Sequence, residues 1–228
     1  MEASDRKEVW RRTATTLVQD LTLIVQYRLT FERFDQIARQ KEAVAQSLFR
    51  QYVRAWYGDS LTAILRRQSD ADERYDSLRA LLADMHTRGD AYSRKSLNAL
   101  FAEFQDRQLT EGYFNDFITE ENYREFADSS GHALDTEKIG RDIAKLEDIS
   151  WDVRHVIERM LGNRERRGLE SDGGSALVHL YSIVDCFEEV AKRYVALLTG
   201  TSFVYQRSAD ELKWTEIFTF PWVAPDDE

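Results

Sequence analysis

Residues 149–169, ISWDVRHVIERMLGNRERRGL, hold the side chains in this chain best suited to chemistry. Ile149, Val153, Val156, Ile157, Met160 and Leu161 recur at helical spacing and predict one buried stripe. That leaves Arg154, His155, Glu158, Arg159, Asn163, Arg164, Arg166 and Arg167 on the flanks or at the end, facing water, a second subunit or a phosphate. Histidine titrates near neutrality and can move a proton. The planar fork of arginine grips a phosphate with two parallel hydrogen bonds. His155 and Arg159, four residues apart, share a helix flank with Asp148 and Asp152, so Asp152 is expected to orient the imidazole while Arg159 holds the anion. Arg154, Arg159, Arg164, Arg166 and Arg167 together form the candidate anion or RNA site. A plainer reading is also open, because cations at a helix C-terminus are favoured by the macrodipole at about 0.3 to 1 kcal/mol each without any ligand.

The elements that must position these groups are all helical. Both prolines, Pro221 and Pro225, lie near the C-terminus and no glycine precedes Gly58. With Ala, Leu, Arg, Glu and Gln abundant, the pattern predicts an all-α bundle of long antiparallel helices. A first helix is expected from Ser4 or Asp5 through Trp10, Leu17, Leu21, Ile24 and Phe31, with a break near Thr30. A second carries Val44, Leu48, Tyr52, Ala55 and Trp56 as its stripe, continues through Leu61 and Leu65, and packs against the first as a hairpin. After a polar loop at 68–76, Leu78, Leu81, Leu82 and Met85 predict a short amphipathic helix stopped near Gly89. Residues 90–135 read as an irregular helical insertion packed on the bundle by aromatics such as Tyr113, Phe117, Tyr123 and Phe126.

Thr136 to Arg166 gives the longest periodic pattern, and Ser175 to Thr199 the last, with Gly200 as its stop. The last helix has two stripes, one through Leu177, Leu180, Val184 and Phe187 and one through His179, Ile183, Cys186 and Val190, which places it at the centre of the bundle or at a dimer interface. His179 is expected in the core and His132 in a solvated loop. The tail at 201–228 reads as extended and aromatic, folded back to hide Trp214, Phe218 and Trp222. The whole of 1–228 is taken as a single domain.

Composition narrows the function classes. A net charge of −10, despite 24 Arg among the 31 basic residues, argues against a broad basic surface for nucleic acid and leaves room only for a local patch. The single cysteine, Cys186, excludes an internal disulfide and fits a reducing compartment. The N-terminus has no apolar signal region, and no run reaches the roughly 18 apolar residues of a membrane span, so a cytoplasmic protein without membrane contact is expected. No metal cluster, phosphate-binding loop, dinucleotide glycine pattern or nucleophile elbow is visible, and no cofactor is expected. The carboxylates read as scattered over solvated faces.

The order of landmarks resembles a known family. AILRRQSD at 63–70, SLRALL at 77–82, the arginine-rich helix end after LEDISWDVR at 146–154, AKRYVALLTG at 191–200 and the closing WTEIFTFPW at 214–222 are similar to the HEPN superfamily, specifically its abortive-infection AbiU-like branch. The resemblance covers most of the chain apart from roughly 90–135. It implies an all-α bundle, commonly a homodimer, in bacterial phage-defence or toxin–antitoxin systems, with RNA and an antitoxin or other protein as partners. Active members are metal-independent ribonucleases that bring a polar residue, an arginine and a histidine together across a two-fold interface. Cleaving RNA by its own 2′-hydroxyl needs a titratable group to move a proton and a cation to stabilise the phosphorane.

Where the family reads Ala-His-Arg, this chain reads Gly162, Asn163, Arg164. The amide of Asn163 can orient a phosphate or a water but cannot act as a base. The upstream arginine position falls on Val156, Ile157 or Glu158. The ribonuclease motif is therefore degraded. Three functions follow: an RNA- or partner-binding protein without ordinary ribonuclease activity, an active endoribonuclease that uses His155 and Arg159, and a purely structural helical interaction module.

Overall fold

The computed structural model describes residues 3–40, 48–72, 76–97, 123–167, 173–199, 203 and 205, with side chains for most of these but not for 157–176. Among the described residues five helices carry the fold: α1 (Ala3–Gln40), α2 (Leu48–Gln68), α3 (Leu78–Thr87), α4 (Thr136–Arg167) and α5 (Gly173–Thr199). A single 3-10 turn, Gly89–Tyr92, follows α3. Among the described residues the only β-pairing is an isolated bridge between Ala127 and Leu134. The fold is all-α, as the scarcity of helix breakers predicts.

Side-chain pairings fix the directions. Asp35 of α1 meets Arg50 of α2 at 2.6 Å, and Asp20 meets Arg67, so these helices run antiparallel. Arg28 reaches Asp185 of α5 at 2.5 Å while Tyr57 lies beside Tyr181, which makes α5 antiparallel to α1. Arg193 reaches Asp142 at 2.8 Å and His179 faces Asp152 at 4.0 Å, which makes α4 antiparallel to α5. One end of the bundle therefore gathers the end of α1, the starts of α2 and α5 and the arginine-rich end of α4. The opposite end gathers the start of α1, residues 76–97 and the turn at 126–135. Trp10 packs on Tyr92 there at 4.0 Å, and Phe126 on Tyr194 at 5.6 Å.

The core is continuous through all five helices. Leu17, Leu21 and Ile24 of α1, Leu61 and Leu65 of α2, Leu82 and Met85 of α3, Leu146 and Val153 of α4, and Val184 and Phe187 of α5 are sealed from water. Each such side chain contributes about 1.5 to 3 kcal/mol over its exposed state. α5 takes the first predicted stripe and, from the second, Ile183 and Val190 into the core, against α4 on one side and α1 and α2 on the other. Thr30 does not break α1, because Phe31 and Phe34 just beyond it stay buried. Phe31 stacks on Tyr57 at 4.3 Å and 6°, which holds the helix in register across that point.

Local chemistry sets the starts of α3 and α4. Ser77 accepts from Ala80 N at 3.1 Å in extended backbone (φ −104°, ψ 153°), a side-chain cap that satisfies one of the orphan amides of the first turn. The Asp135 carboxylate does the same for α4, accepting from Glu137 N at 3.0 Å and Lys138 N at 3.1 Å.

Two further expectations fail. First, three carboxylates are buried rather than solvated. Asp20 holds Arg67 and, at 2.6 Å, the Gln68 amide. Asp35 binds Arg39, Arg50 and Arg54. Asp142 accepts from Arg193 and, at 3.0 Å, from the Tyr194 hydroxyl. Each buried charge is tolerated because a cation from another helix or turn meets it. Second, the predicted stripe at the start of α2 faces outward: Leu48, Tyr52 and Trp56 are exposed, Trp56 at 64%, as is the neighbouring Phe49. Asp35 draws Arg50 and Arg54 toward α1, so the polar side of this half-helix faces the bundle and the apolar side faces water. Farther on, Tyr57, Leu61, Ile64 and Leu65 restore the ordinary arrangement. The predicted features at Val44, Tyr113, Phe117, Gly200, Trp214, Phe218 and Trp222 lie outside the described residues.

Candidate functional site

α4 positions the candidate groups because its inner face is anchored by Ile139, Leu146, Ile149, Val153 and Val156. The helix passes Gly162 without a break and carries the positions of Arg159, Asn163, Arg164, Arg166 and Arg167 on helical backbone. The side chains of those five lie outside the described residues. At 100° per residue, positions 155, 159, 163 and 166 fall along one flank of the helix, adjoining the flank of 151.

Arg154 is exposed and His155 half-buried. His155 is held by Trp151 rather than by Asp152. Its ring lies 3.7 Å from the Trp151 ring centroid, tilted 31°, and its Nδ1 is 3.0 Å from the Trp151 carbonyl oxygen. A carbonyl can only accept, so Nδ1 carries the proton of the neutral ring and Nε2 is left as the basic nitrogen. Asp152 instead faces Nε2 of His179 on α5 at 4.0 Å. His179 is accordingly a surface residue, not the core histidine expected from its stripe. His132 is exposed, as expected of its loop. Arg79, seven residues before His86, reaches Glu147 at 2.5 Å and serves to join α3 to α4.

Trp151 is the exposed side chain beside these groups that periodicity did not single out. It is 60% exposed, an unusual place for an indole, and its face is steadied by the imidazole. The available signal was its position two residues off the buried stripe of Ile149 and Val153. An exposed aromatic beside Arg154 and His155 offers stacking, positive charge and one titratable nitrogen on the same stretch of helix. Cys186 is half-buried and burial pushes its thiol up, which disfavours the reactive thiolate. Among the described residues no group of three or more metal-ligating side chains occurs, and no helix is long and apolar enough to cross a membrane.

Comparison with protein-family models, with curated proteins and with solved structures finds no match for this chain.

Proposed function

We propose that the chain is a HEPN-like protein of the AbiU-like branch, acting in a bacterial phage-defence or toxin–antitoxin setting, and that it binds single-stranded RNA along the outer flank of α4 with a degraded ribonuclease motif. The observation that carries the RNA reading is the exposed Trp151 packed on His155 beside Arg154, on the helix that leads to four further arginines. Unpaired bases stack on aromatic faces while cations follow the phosphates, and that combination is compatible with a net acidic molecule because the contact is local. Fluorescence anisotropy with a labelled single-stranded RNA tests it. Trp151→Ala and Arg154→Glu should each weaken binding about tenfold. Binding unchanged in both variants would remove the reading. Incubation with total RNA in the presence of a chelator separates binding from catalysis, and metal-independent cleavage lost in His155→Ala would establish the active-ribonuclease alternative.

A second reading, an interaction module, is favoured by the outward apolar face of α2. Leu48, Tyr52 and Trp56 lie at four-residue intervals and present a stripe suited to the same stripe of a second copy. A homodimer formed there would dissociate in Tyr52→Glu and Trp56→Glu variants by sedimentation. A wild-type chain that sediments as a monomer at high concentration would exclude it.

A further inference from the structure

Nine residues separate Leu48 from Tyr57, Tyr52 from Leu61 and Trp56 from Leu65. At about 100° per residue, that interval carries a side chain to the opposite side of a helix. Tyr57, Leu61 and Leu65 are buried against the bundle, so Leu48, Tyr52 and Trp56 face directly away from it. We infer that this outward stripe docks on the same stripe of a second copy, with the two α2 helices antiparallel and Tyr52 on the two-fold axis. The arrangement rests on the interaction-module reading and adds to it the direction and register of the pairing.

Two observations favour a second copy over another occupant. The first is area. Leu48, Phe49, Tyr52 and Trp56 are each at least half exposed. Aromatic side chains offer about 150 to 250 Å2 apiece, so the four leave roughly 400 to 500 Å2 of apolar surface open along α2. A standard interface covers about 800 Å2 per partner, and about 65% of it is apolar in a homodimer, or roughly 500 Å2. The stripe alone comes close to that requirement.

The second observation is self-complementarity. Across a two-fold axis, an antiparallel pair of helices brings together positions whose numbers have a constant sum. Centred on Tyr52, that pairing sets Leu48 opposite the partner's Trp56, Phe49 opposite the partner's Ala55, and the two Tyr52 rings against each other. Each large ring away from the axis thus meets a smaller aliphatic side chain. Asp59 and Arg66, exposed charges farther along the same side, fall beyond the overlap and stay in water. Arg50 and Arg54 stay engaged with Asp35 of their own copy.

Pulsed double electron–electron resonance on the full chain measures the register without touching the stripe. In a Cys186→Ser background, a single spin label at Asp59→Cys or at Arg66→Cys reports its distance to the same site on the partner. With a rise of about 1.5 Å per residue and helix axes about 9 Å apart, the expected distances are about 23 Å for position 59 and about 43 Å for position 66. Both signals should vanish in Trp56→Glu. Equal distances at the two positions indicate parallel helices, and a pair of distances displaced from these values indicates another register. Either result overturns the inference while leaving an interaction module standing, as do signals that persist in Trp56→Glu. A wild-type chain that sediments as a monomer at high concentration removes both the arrangement and the reading beneath it.

Discussion

Replacing Asp20 with alanine should destabilise the fold far more than its distance from any candidate site suggests. The carboxylate side chain is 2% exposed and accepts from Arg67 Nε at 3.2 Å and Gln68 Nε2 at 2.6 Å, with a further contact from Arg67 Nη2. Gln68 is itself sealed, and its other amide atom, Oε1, accepts from Leu78 N at 2.8 Å at the first residue of α3. Asp20 thus holds the one side chain that ties α1, the end of α2 and the start of α3 together.

In Asp20→Ala the Gln68 amide nitrogen is left buried without its acceptor, which costs about 1 to 3 kcal/mol. Arg67 is half exposed and regains water, so its lost pairing adds no more than about 1 kcal/mol. The sum is roughly 2 to 4 kcal/mol, with Asp20→Asn falling between alanine and wild type because it keeps one acceptor oxygen. Urea unfolding followed by circular dichroism measures this as a drop in midpoint at constant slope. The matching check is Gln68→Ala in the Asp20→Ala background. It should cost less there than alone, since the orphaned amide is then removed. A loss below about 0.5 kcal/mol in Asp20→Ala would refute the reasoning, because surface substitutions already reach that size.

Other consequences are equally direct. Burial works to raise the Asp35 pKa, but hydrogen bonds from Arg50 and Arg39 and the charge of Arg54 outweigh it and hold the carboxyl below its ordinary 3.8. The stability this provides is full above the unfolded-state value and is lost as pH falls through the folded one. Acid unfolding should therefore be less steep below about pH 4 in Asp35→Asn than in wild type, and parallel curves would show the cluster to be inert. Ser77→Ala removes the cap of α3 and a 2.6 Å hydrogen bond from its hydroxyl to the Asp70 carbonyl, so unfolding free energy should drop by about 1 to 2 kcal/mol, read from urea midpoints. Trp151→Phe should retain most of the RNA affinity that Trp151→Ala loses, since stacking needs a ring rather than an indole N–H. Equal losses in the two variants would mean that the side chain acts by something other than stacking.

The helices were legible because their apolar residues recur at helical spacing over long stretches free of proline. Ile139 to Val156 on α4 and Leu177 to Leu198 on α5 are read almost position for position. What the pattern concealed were places where a polar group has its partner far away in sequence. Asp35 reads as a surface residue until Arg50 and Arg54 arrive from the next helix, and once they do, the stripe of Leu48, Tyr52 and Trp56 must turn outward. The same blindness misassigned the histidines. His155 shares a flank with Asp152, yet that carboxylate faces His179 on α5, and the imidazole of His155 settles on its neighbouring indole.

The placement of α5 bears on how the molecule is made. Leu180, Val184, Phe187, Val190 and Ala191 fill the middle of the bundle, yet they emerge from the ribosome after every other described helix. Until they do, the inner faces of α1, α2 and α4 can close on one another only in part. Nascent chains should consequently stay sticky until late in synthesis and depend on chaperone protection, with stable structure gained in one late, cooperative event.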